Sequence, residues 1–341
     1  MLDAAGHVWV FSSAHGTARP AHISVSTRPY DVSEFELVRT HNYSYPQPWY
    51  LDGKGFLFLH TKYGGGRRLY QSTSPDGRTW TDRQLLAGID QGHYQISRAR
   101  GDKVATAFNY HPKPRGLNWR TNLYYMETSD FGRTWRTAAG QPVDLPLTEP
   151  DNAALVHDYA AEKLNVYMKD LALDADGRPV ILFLTSGGWQ SGPDNDPRTW
   201  RTARWTGRTW EIRGQITSDN NYDMGSLYIE GPDLWRLIGP TEPGPQRYNT
   251  GGEVALWTSA DQGASWSRVK QLTRNSPRNH TYCRRPVHAR PDFYALWADG
   301  HGRQPSESRL YFCTRDGDVF LLPPEMTTDT AKPIPVKQDD F

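Results

Sequence analysis

Three stretches of this chain repeat one short pattern. Residues 74–80 read SPDGRTW, 128–135 read TSDFGRTW and 259–266 read SADQGASW. Each runs from Ser or Thr through Asp and Gly to Thr or Ser and then Trp, the first copy one residue short. A fourth stretch, RWTGRTW at 204–210, lacks the Asp. Each clear copy follows an aromatic-rich run: RRLYQST, NLYYMET or EVALWTS. The pattern suits a locked β-turn. Asp accepts hydrogen bonds from its own turn, Gly takes a backbone conformation other residues resist, and Trp packs the turn onto the sheet. These residues read as clamps between strands and not as catalysts. The copies begin at 74 and 128, and at 204 and 259, about 55 residues apart. Four-stranded propeller blades recur about every 40–50 residues, so the chain fits six to seven of them.

The expectation is therefore an all-β protein, a β-propeller of four-stranded antiparallel blades. The 13 Trp, 18 Tyr, 30 Gly and 25 Pro agree with short strands and many turns, and few windows hold a helical period, which excludes a helical bundle. Strands are expected at 7–12, 22–26, 55–62, 68–74, 93–99, 103–110, 122–128, 164–169, 179–185 and onward to 318–322. Polar stretches at 186–199 and 240–251 read as face loops. One domain is expected over 1–323, with 324–341 as a tail or closing strap. A net charge of +1 with scattered basic residues gives no field for nucleic acid. No run is apolar enough for membrane insertion, and a monomer is expected. Cys283 and Cys313 read as two buried thiols, with a disulfide as the alternative if strands 282–287 and 309–313 are adjacent. The opening MLDAAGHVWVFSS enters a strand with no lead-in, as if an upstream segment were missing. The lack of a visible signal peptide thus leaves a secreted or periplasmic location as the expectation.

Longer strings narrow the reading: YPQPWY at 45–50, GHYQIS at 92–97, FNYHP at 108–112, RTNLYY at 120–125, YDMGSLY at 222–228, PTEPGPQ at 240–246, GGEVALW at 251–257 and NHTYCRRP at 279–286. With the repeated turns, which resemble the Asp boxes of BNR-repeat propellers, they resemble a bacterial and fungal branch of that family. The branch is similar to seven-bladed L-rhamnose-α-1,4-D-glucuronate lyases and their α-L-rhamnosidase relatives, and more weakly to propeller-type ulvan lyases. The likeness runs from about residue 6 to residue 323. It implies seven blades, with an incomplete N-terminal blade as the variant. It also implies cleavage of a rhamnose–glucuronate type linkage in a plant or algal polysaccharide by β-elimination.

Elimination needs a base for the C5 proton, an acid for the oxygen leaving C4, and positive charge on the carboxylate, an electrostatic contribution that often outweighs the others. His and Tyr suit the first two roles near neutral pH, and Arg matches a carboxylate with its fork. Candidates for catalysis are His93, His111, Tyr110, His280 and Arg284. Candidates for substrate contact are Tyr94, Arg120, Tyr282, His157, Tyr45 and Gln47. In 91–112 a two-residue Gly101-Asp102 loop pairs positions that sum to 203, so His93 faces Tyr110. A three-residue loop makes the sum 204 and sets His93 opposite His111. Either way both imidazoles sit at the open end of one hairpin, within about 4.5–5.5 Å if directly opposed or about 7–8 Å on a diagonal. His93→Ala and His111→Ala are then both expected to abolish turnover with little change in melting temperature.

Plainer roles stand beside these. His93 suits a backbone cap, His111 before Pro112 suits a turn, and Tyr94 and Tyr110 suit packing. Arg284 and Arg285 point to opposite faces of a regular strand, and by the same parity His280, Tyr282 and Arg284 share one. Trp49, Trp119 and Trp189 could stack on sugars, though most of the Trp residues serve blade packing. A hydrolase would need two carboxylates flanking the bond. Asp158, Asp223, Glu242 and Glu253 are candidates, but no spacing marks a pair. The Ala18-Arg19-Pro20 string is not the Arg-Ile-Pro of sialidases. An α-L-rhamnosidase or other glycoside hydrolase is the second reading and a non-catalytic sugar-binding propeller the third. No metal-ligand string is present. No cofactor is expected to be required, and a structural Ca²⁺ is compatible with the chain.

Overall fold

The computed structural model describes residues 1–13 and 20–337. Ala18 and Arg19 of the Ala18-Arg19-Pro20 string, and the last residues of the tail, lie outside them. The described residues form six antiparallel sheets, each an up-and-down meander. They fall in two compact units, Met1–Glu162 and Lys163–Phe341.

Three sheets belong to the first unit. The first holds β1 (Trp9–Ser12), β2 (Ala21–Ser26) and β3 (Phe35–His41). The second holds β4 (Ser44–Leu51), β5 (Gly55–Tyr63), β6 (Arg67–Ser74) and β7 (Gln84–Ala87). The third holds β8 (Gln95–Arg100), β9 (Lys103–Tyr110), β10 (Thr121–Thr128) and β11 (Leu155–His157). Three belong to the second unit. The fourth sheet holds β12 (Asn165–Leu173), β13 (Pro179–Ser186), β14 (Arg198–Trp205) and β15 (Trp210–Ser218). The fifth holds β16 (Ser226–Gly231), β17 (Leu234–Glu242), β18 (Glu253–Ser259) and β19 (Ser267–Gln271). The sixth holds β20 (Asn279–Arg284), β21 (Ala295–Gly300), β22 (Leu310–Cys313), β23 (Val319–Leu321) and β24 (Ile334–Pro335).

The blades are thus those of an all-β propeller, and the described residues make six where seven were expected. The strands between the repeated turns take up more chain per blade than the shorter propeller periods allow. Part of the 240–251 loop is also strand, since β17 runs to Glu242. The tail supplies β24, which pairs with β23.

The turns behave as their sequence implies. Ser74 Oγ accepts from the Gly77 N–H at 2.8 Å while Asp76 Oδ1 accepts from the Thr79 N–H at 2.7 Å. The Thr128–Asp130–Gly132–Thr134 and Ser259–Asp261–Gly263–Ser265 turns repeat these bonds. All three glycines have φ between 73° and 86°. Trp135 closes its turn fully buried in an apolar core between the second and third sheets, with Leu57, Leu69, Phe108 and Tyr124. Within the second unit, comparable cores join the fourth sheet to the fifth and the fifth to the sixth. Cys283 and Cys313 are free, buried thiols. No helix of the described residues is long and apolar enough to cross a membrane.

Candidate active site

The site in the first unit starts from a close backbone crossing. Arg67, the first residue of β6, donates its N–H to the Gln91 carbonyl oxygen at 2.9 Å, and its own carbonyl oxygen accepts from the His93 N–H at 2.8 Å. Gly92 sits in this crossing with φ 108°. A Cβ there would lie 2.0 Å from the Arg67 carbonyl oxygen, so a side chain would force the two segments apart. The start of β6 is thereby held against the start of β8.

The β8–β9 hairpin settles the register. Arg100 pairs with Lys103 and Gln95 with Phe108, so the loop has two residues. The pairing continues past the strand ends: the Asn109 N–H donates to the Tyr94 carbonyl oxygen at 3.2 Å and the His111 N–H to that of Gly92 at 2.9 Å. Side chains alternate across a sheet. Tyr94, Asn109 and His111 therefore share one face, and His93 and Tyr110 take the other. Asn109 Oδ1 also accepts the Tyr94 N–H at 3.0 Å, fixing the tyrosine backbone.

Tyr94 is the centre of what gathers on its face. The Arg67 and Arg120 guanidinium carbons lie 4.3 and 4.4 Å from its ring centroid. The Tyr45 ring meets it edge-on at 5.2 Å, and the His111 ring stands 5.0 Å away at 72°. Arg67 also covers the Tyr45 and Tyr63 rings, at 5.0 and 4.8 Å, and donates to the Tyr63 hydroxyl. Tyr45 reaches the cluster from a left-handed backbone, φ 53°. Arg120, just before β10, is anchored by donation to the Leu117 carbonyl oxygen at 3.2 Å.

The imidazole of His111 is fully buried. Its Nδ1 lies 3.2 Å from the Trp119 carbonyl oxygen. A carbonyl only accepts, so Nδ1 carries the proton and Nε2 keeps its lone pair. That Nε2 has no hydrogen-bond partner among the described residues. Burial, followed by the charges of Arg120 and Arg67, pushes its pKa down to about 3. Tyr94 moves the other way from most buried tyrosines. Burial would raise its pKa, but the charges of Arg120 and Arg67, with hydrogen bonds from Arg67 and Tyr45, lower it below 10.0. The pair is a neutral imidazole with an unengaged lone pair beside a phenol of raised acidity.

Other expected site residues lie elsewhere. His93 is fully buried with both ring nitrogens engaged by backbone: Nε2 accepts the Ile89 N–H at 3.1 Å and Nδ1 lies 2.9 Å from the Asn109 carbonyl oxygen. Tyr110 belongs to the apolar core beside Tyr124. Gln47 spends its amide between β4 and β8, donating to the Gln95 carbonyl oxygen at 2.9 Å and accepting from Ser97 at 2.5 Å. Trp49 is bonded to Ser97 as well. His157 pairs with Glu162 and packs on Tyr159.

The NHTYCRRP string belongs to the second unit, and there the parity argument fails. The β20–β21 register shifts between Thr281 and Arg284, and Tyr282 has φ 63° and is exposed. Buried His280 accepts the Trp297 indole N–H at Nδ1, 3.0 Å, so its Nε2 donates to Ser276 Oγ at 2.9 Å. Ser276 in turn donates to Glu253. Arg284 lies over the Tyr282 ring at 4.1 Å and donates to the Lys169 carbonyl oxygen, while Arg285 pairs with Asp170. The carboxylates considered for hydrolysis are tied up in local bonds: Asp223 accepts the Gly251 and Asn220 N–H groups, Glu253 holds Ser276 and Thr273, Glu242 pairs with Arg268, and Asp158 caps the Ala161 N–H. Among the described residues no three His, Cys, Asp or Glu side chains group as metal ligands.

Sequence reasoning missed Arg67, Tyr63 and Asn109. The signal for Arg67 was Gly64-Gly65-Gly66 directly before it. Of the three, Gly66 marks the close approach: a Cβ there would lie 3.1 Å from the Gln91 carbonyl group, and Arg67 follows it into the crossing.

A family model described as a BNR repeat-containing family member matches residues 1–217. The chain belongs to that family. The sequence has no match among curated proteins. Among solved structures, this BNR-repeat protein is similar to an ulvan lyase of polysaccharide lyase family PL25, with a TM-score of 0.75 and 19% identity, covering 92% of this chain and 78% of that one. A structure of such a PL25 ulvan lyase is bound to -[GlcA(1-4)Rha3S]-. The polysaccharide lyase Uly1 follows at 0.59 and 12%, covering 86% and 68%. An α-L-arabinanase of Penicillium chrysogenum, complexed with arabinobiose, aligns at 0.51 and 12%, covering 92% and 91%. At these identities the likeness concerns the fold.

Proposed function

We propose that this BNR-repeat protein is a polysaccharide lyase that cleaves beside a uronic acid by β-elimination, with the Tyr94 cluster as its active site. The observation that carries the reading is the unpartnered Nε2 of His111, held neutral beside Tyr94, whose ring lies against two guanidiniums. Arg67 and Arg120 take the uronate carboxylate and the charge that builds on it as the C5 proton leaves. His111 Nε2 removes that proton. Its basicity is held down by burial and then by these same two charges, so an arriving carboxylate offsets part of what suppresses it. Tyr94 gives its phenolic proton to the departing O4, and the C4–O bond breaks to leave a C4–C5 double bond on the uronate. In this reading two guanidiniums supply the positive charge and no cofactor is required.

The substrate class we infer is a glucuronate–rhamnose polysaccharide of plant or algal origin, acted on outside the cytoplasm. The support is the sequence resemblance together with a similar fold whose structure holds -[GlcA(1-4)Rha3S]-. Hydrolysis is the weaker alternative, because the strongest influences on Tyr94 and His111 include no carboxylate. The test is incubation with ulvan and with gum arabic, following the ultraviolet absorbance of the unsaturated uronate and the reducing ends in parallel. Both signals rising together support elimination. Reducing ends without the absorbance would make the protein a hydrolase.

A further inference from the structure

A second cationic hollow lies in the first unit, between its first and second sheets. Its volume is ≈ 180 Å³, and it is lined by Arg39, His41, His60, Arg83 and Asp82 together with Phe58, Trp80 and smaller neighbours. None of Tyr45, Arg67, Tyr94, His111 or Arg120 lines it. The residues come from separate elements: Arg39 and His41 from β3, His60 from β5, and Arg83 from just before β7.

Its polar groups are held and left unsatisfied. His60 is almost fully buried, stacked between Phe58 at 4.6 Å and Tyr70 at 6.0 Å, and neither ring nitrogen has a hydrogen-bond partner among the described residues. Arg83 donates through Nη2 to the Asn42 carbonyl oxygen at 3.0 Å and meets the His41 ring, yet its Nε is buried without a partner. Neither Arg39 nor Arg83 forms an ion pair among the described residues, and Asp82 is the single carboxylate on the wall. Buried donors without acceptors are costly. Here several converge on one space, and mutual repulsion is felt: burial and then Arg39 lower the Arg83 pKa, and burial and then Arg83 lower that of His60 to about 3. An anion would answer all of these groups together, supplying acceptors to Nε and the imidazoles and charge to the two arginines.

We propose that this hollow is a binding site for one small oxyanion, a sulfate-like or carboxylate group held by Arg83, Arg39 and His60. The volume admits such a group with few waters around it, each water filling about 30 Å³ in the liquid. The oxyanion is either a free ion or a substituent of an acidic sugar, two sources with one recognition chemistry. The assignment stands apart from the lyase reading, since the two sites share no lining residue.

Isothermal titration of the full chain with sodium sulfate tests it, against sodium chloride at equal ionic strength. A saturable sulfate heat is expected, weakened about tenfold or more in Arg83→Gln, as the loss of a charge-assisted hydrogen bond would give. His60→Phe keeps the stacking and removes the ring nitrogens, and is expected to weaken binding likewise. Should that variant fail to fold, Arg39→Gln on the half-exposed β3 makes the same test. Tighter binding of glucuronate than of sulfate assigns the site to a sugar carboxylate, and the reverse assigns it to a free ion. Sulfate heats that match chloride, or that survive Arg83→Gln unchanged because the ion sits at Arg67 and Arg120, would overturn the proposal.

Discussion

The Tyr94 ring stands 5.0 Å from the His111 imidazole, and the two side chains leave the same face of one hairpin. If they are the acid and base of one elimination, removing either stops the same step. Tyr94→Phe keeps the ring against Arg67 and Arg120 but loses the hydroxyl, and with it the acidic proton and the hydrogen bonds from Arg67 and Tyr45. A drop in kcat of about 10²–10⁴-fold is expected, with melting temperature nearly unchanged. The wild-type rate is also expected to fall as pH rises through the Tyr94 pKa, which lies below the ordinary 10.0, because the acid is then already deprotonated. A pH–rate profile with its alkaline limb above 10, or a Tyr94→Phe protein with full turnover, would remove Tyr94 from the mechanism.

Arg120 lies 4.4 Å over Tyr94 and is held by the Leu117 carbonyl oxygen. A lysine there keeps the charge and loses the planar fork. Arg120→Lys should therefore lower kcat more than it raises KM, by about 10²–10³-fold. Because the guanidiniums carry the charge, dialysis against a chelator should leave the wild-type rate as it was. A chelator-sensitive rate restored by added metal would mean that a bound cation takes part.

His93 now separates from His111. Both ring nitrogens of His93 serve backbone groups, those of Ile89 and Asn109. Truncation to Ala takes the acceptor from the Ile89 N–H and one bond from the Asn109 carbonyl oxygen, and an unmade buried bond costs about 1–3 kcal/mol. His93→Ala is expected to be destabilised by about 2–4 kcal/mol in chemical denaturation. His111→Ala is expected to lose less, since the His111 ring gives up one backbone bond, to the Trp119 carbonyl oxygen, where His93 gives up two. Equal stabilities for the two variants would return His93 to the list of groups free to act on substrate.

The repeated turns, the hairpin at 91–112 and most inner strands were legible because each depends on local chemistry: an Asp that closes its own turn, a Gly-Asp loop, an apolar run. What sequence hid has physical reasons as well. The outer strands β3, β15 and β19 are largely exposed and bury few apolar side chains, as suits edges that must not pair further. β4 carries Pro46 and Pro48 and was not among the expected strands, yet proline is tolerated on an edge strand, and β4 is one. For the site, the choice between a two- and a three-residue loop decided whether His93 or Tyr94 faces His111. The left-handed Tyr282 broke the parity argument in β20. Arg67 is delivered by a crossing of two sheets, a long-range fact that spacing does not carry.

Acid sensitivity follows from the buried imidazoles. The pKa of His93 is pushed from 6.5 down to about 4, chiefly by burial, and those of His111 and His280 to about 3, burial again the first cause. Each folded-state value lies below its unfolded value, so below pH 6.5 the unfolded chain binds more protons than the folded one. Their contribution to stability is present above pH 6.5 and is lost as pH falls toward 3–4. Glu230 and Asp261, both held down to about 2 by hydrogen bonds that outweigh burial for Glu230 and act directly on Asp261, begin to add their loss only below about 4.5. Asp223 acts the other way, since burial raises its carboxyl to about 8 and the folded chain keeps that proton. Three imidazoles outweigh one carboxyl, so the melting temperature should fall below pH 6.5 with net proton uptake on unfolding. A melting temperature flat from pH 6.5 to 4.5 would show that these rings are not held neutral in the folded protein, and with them the neutral His111 on which the proposed base depends.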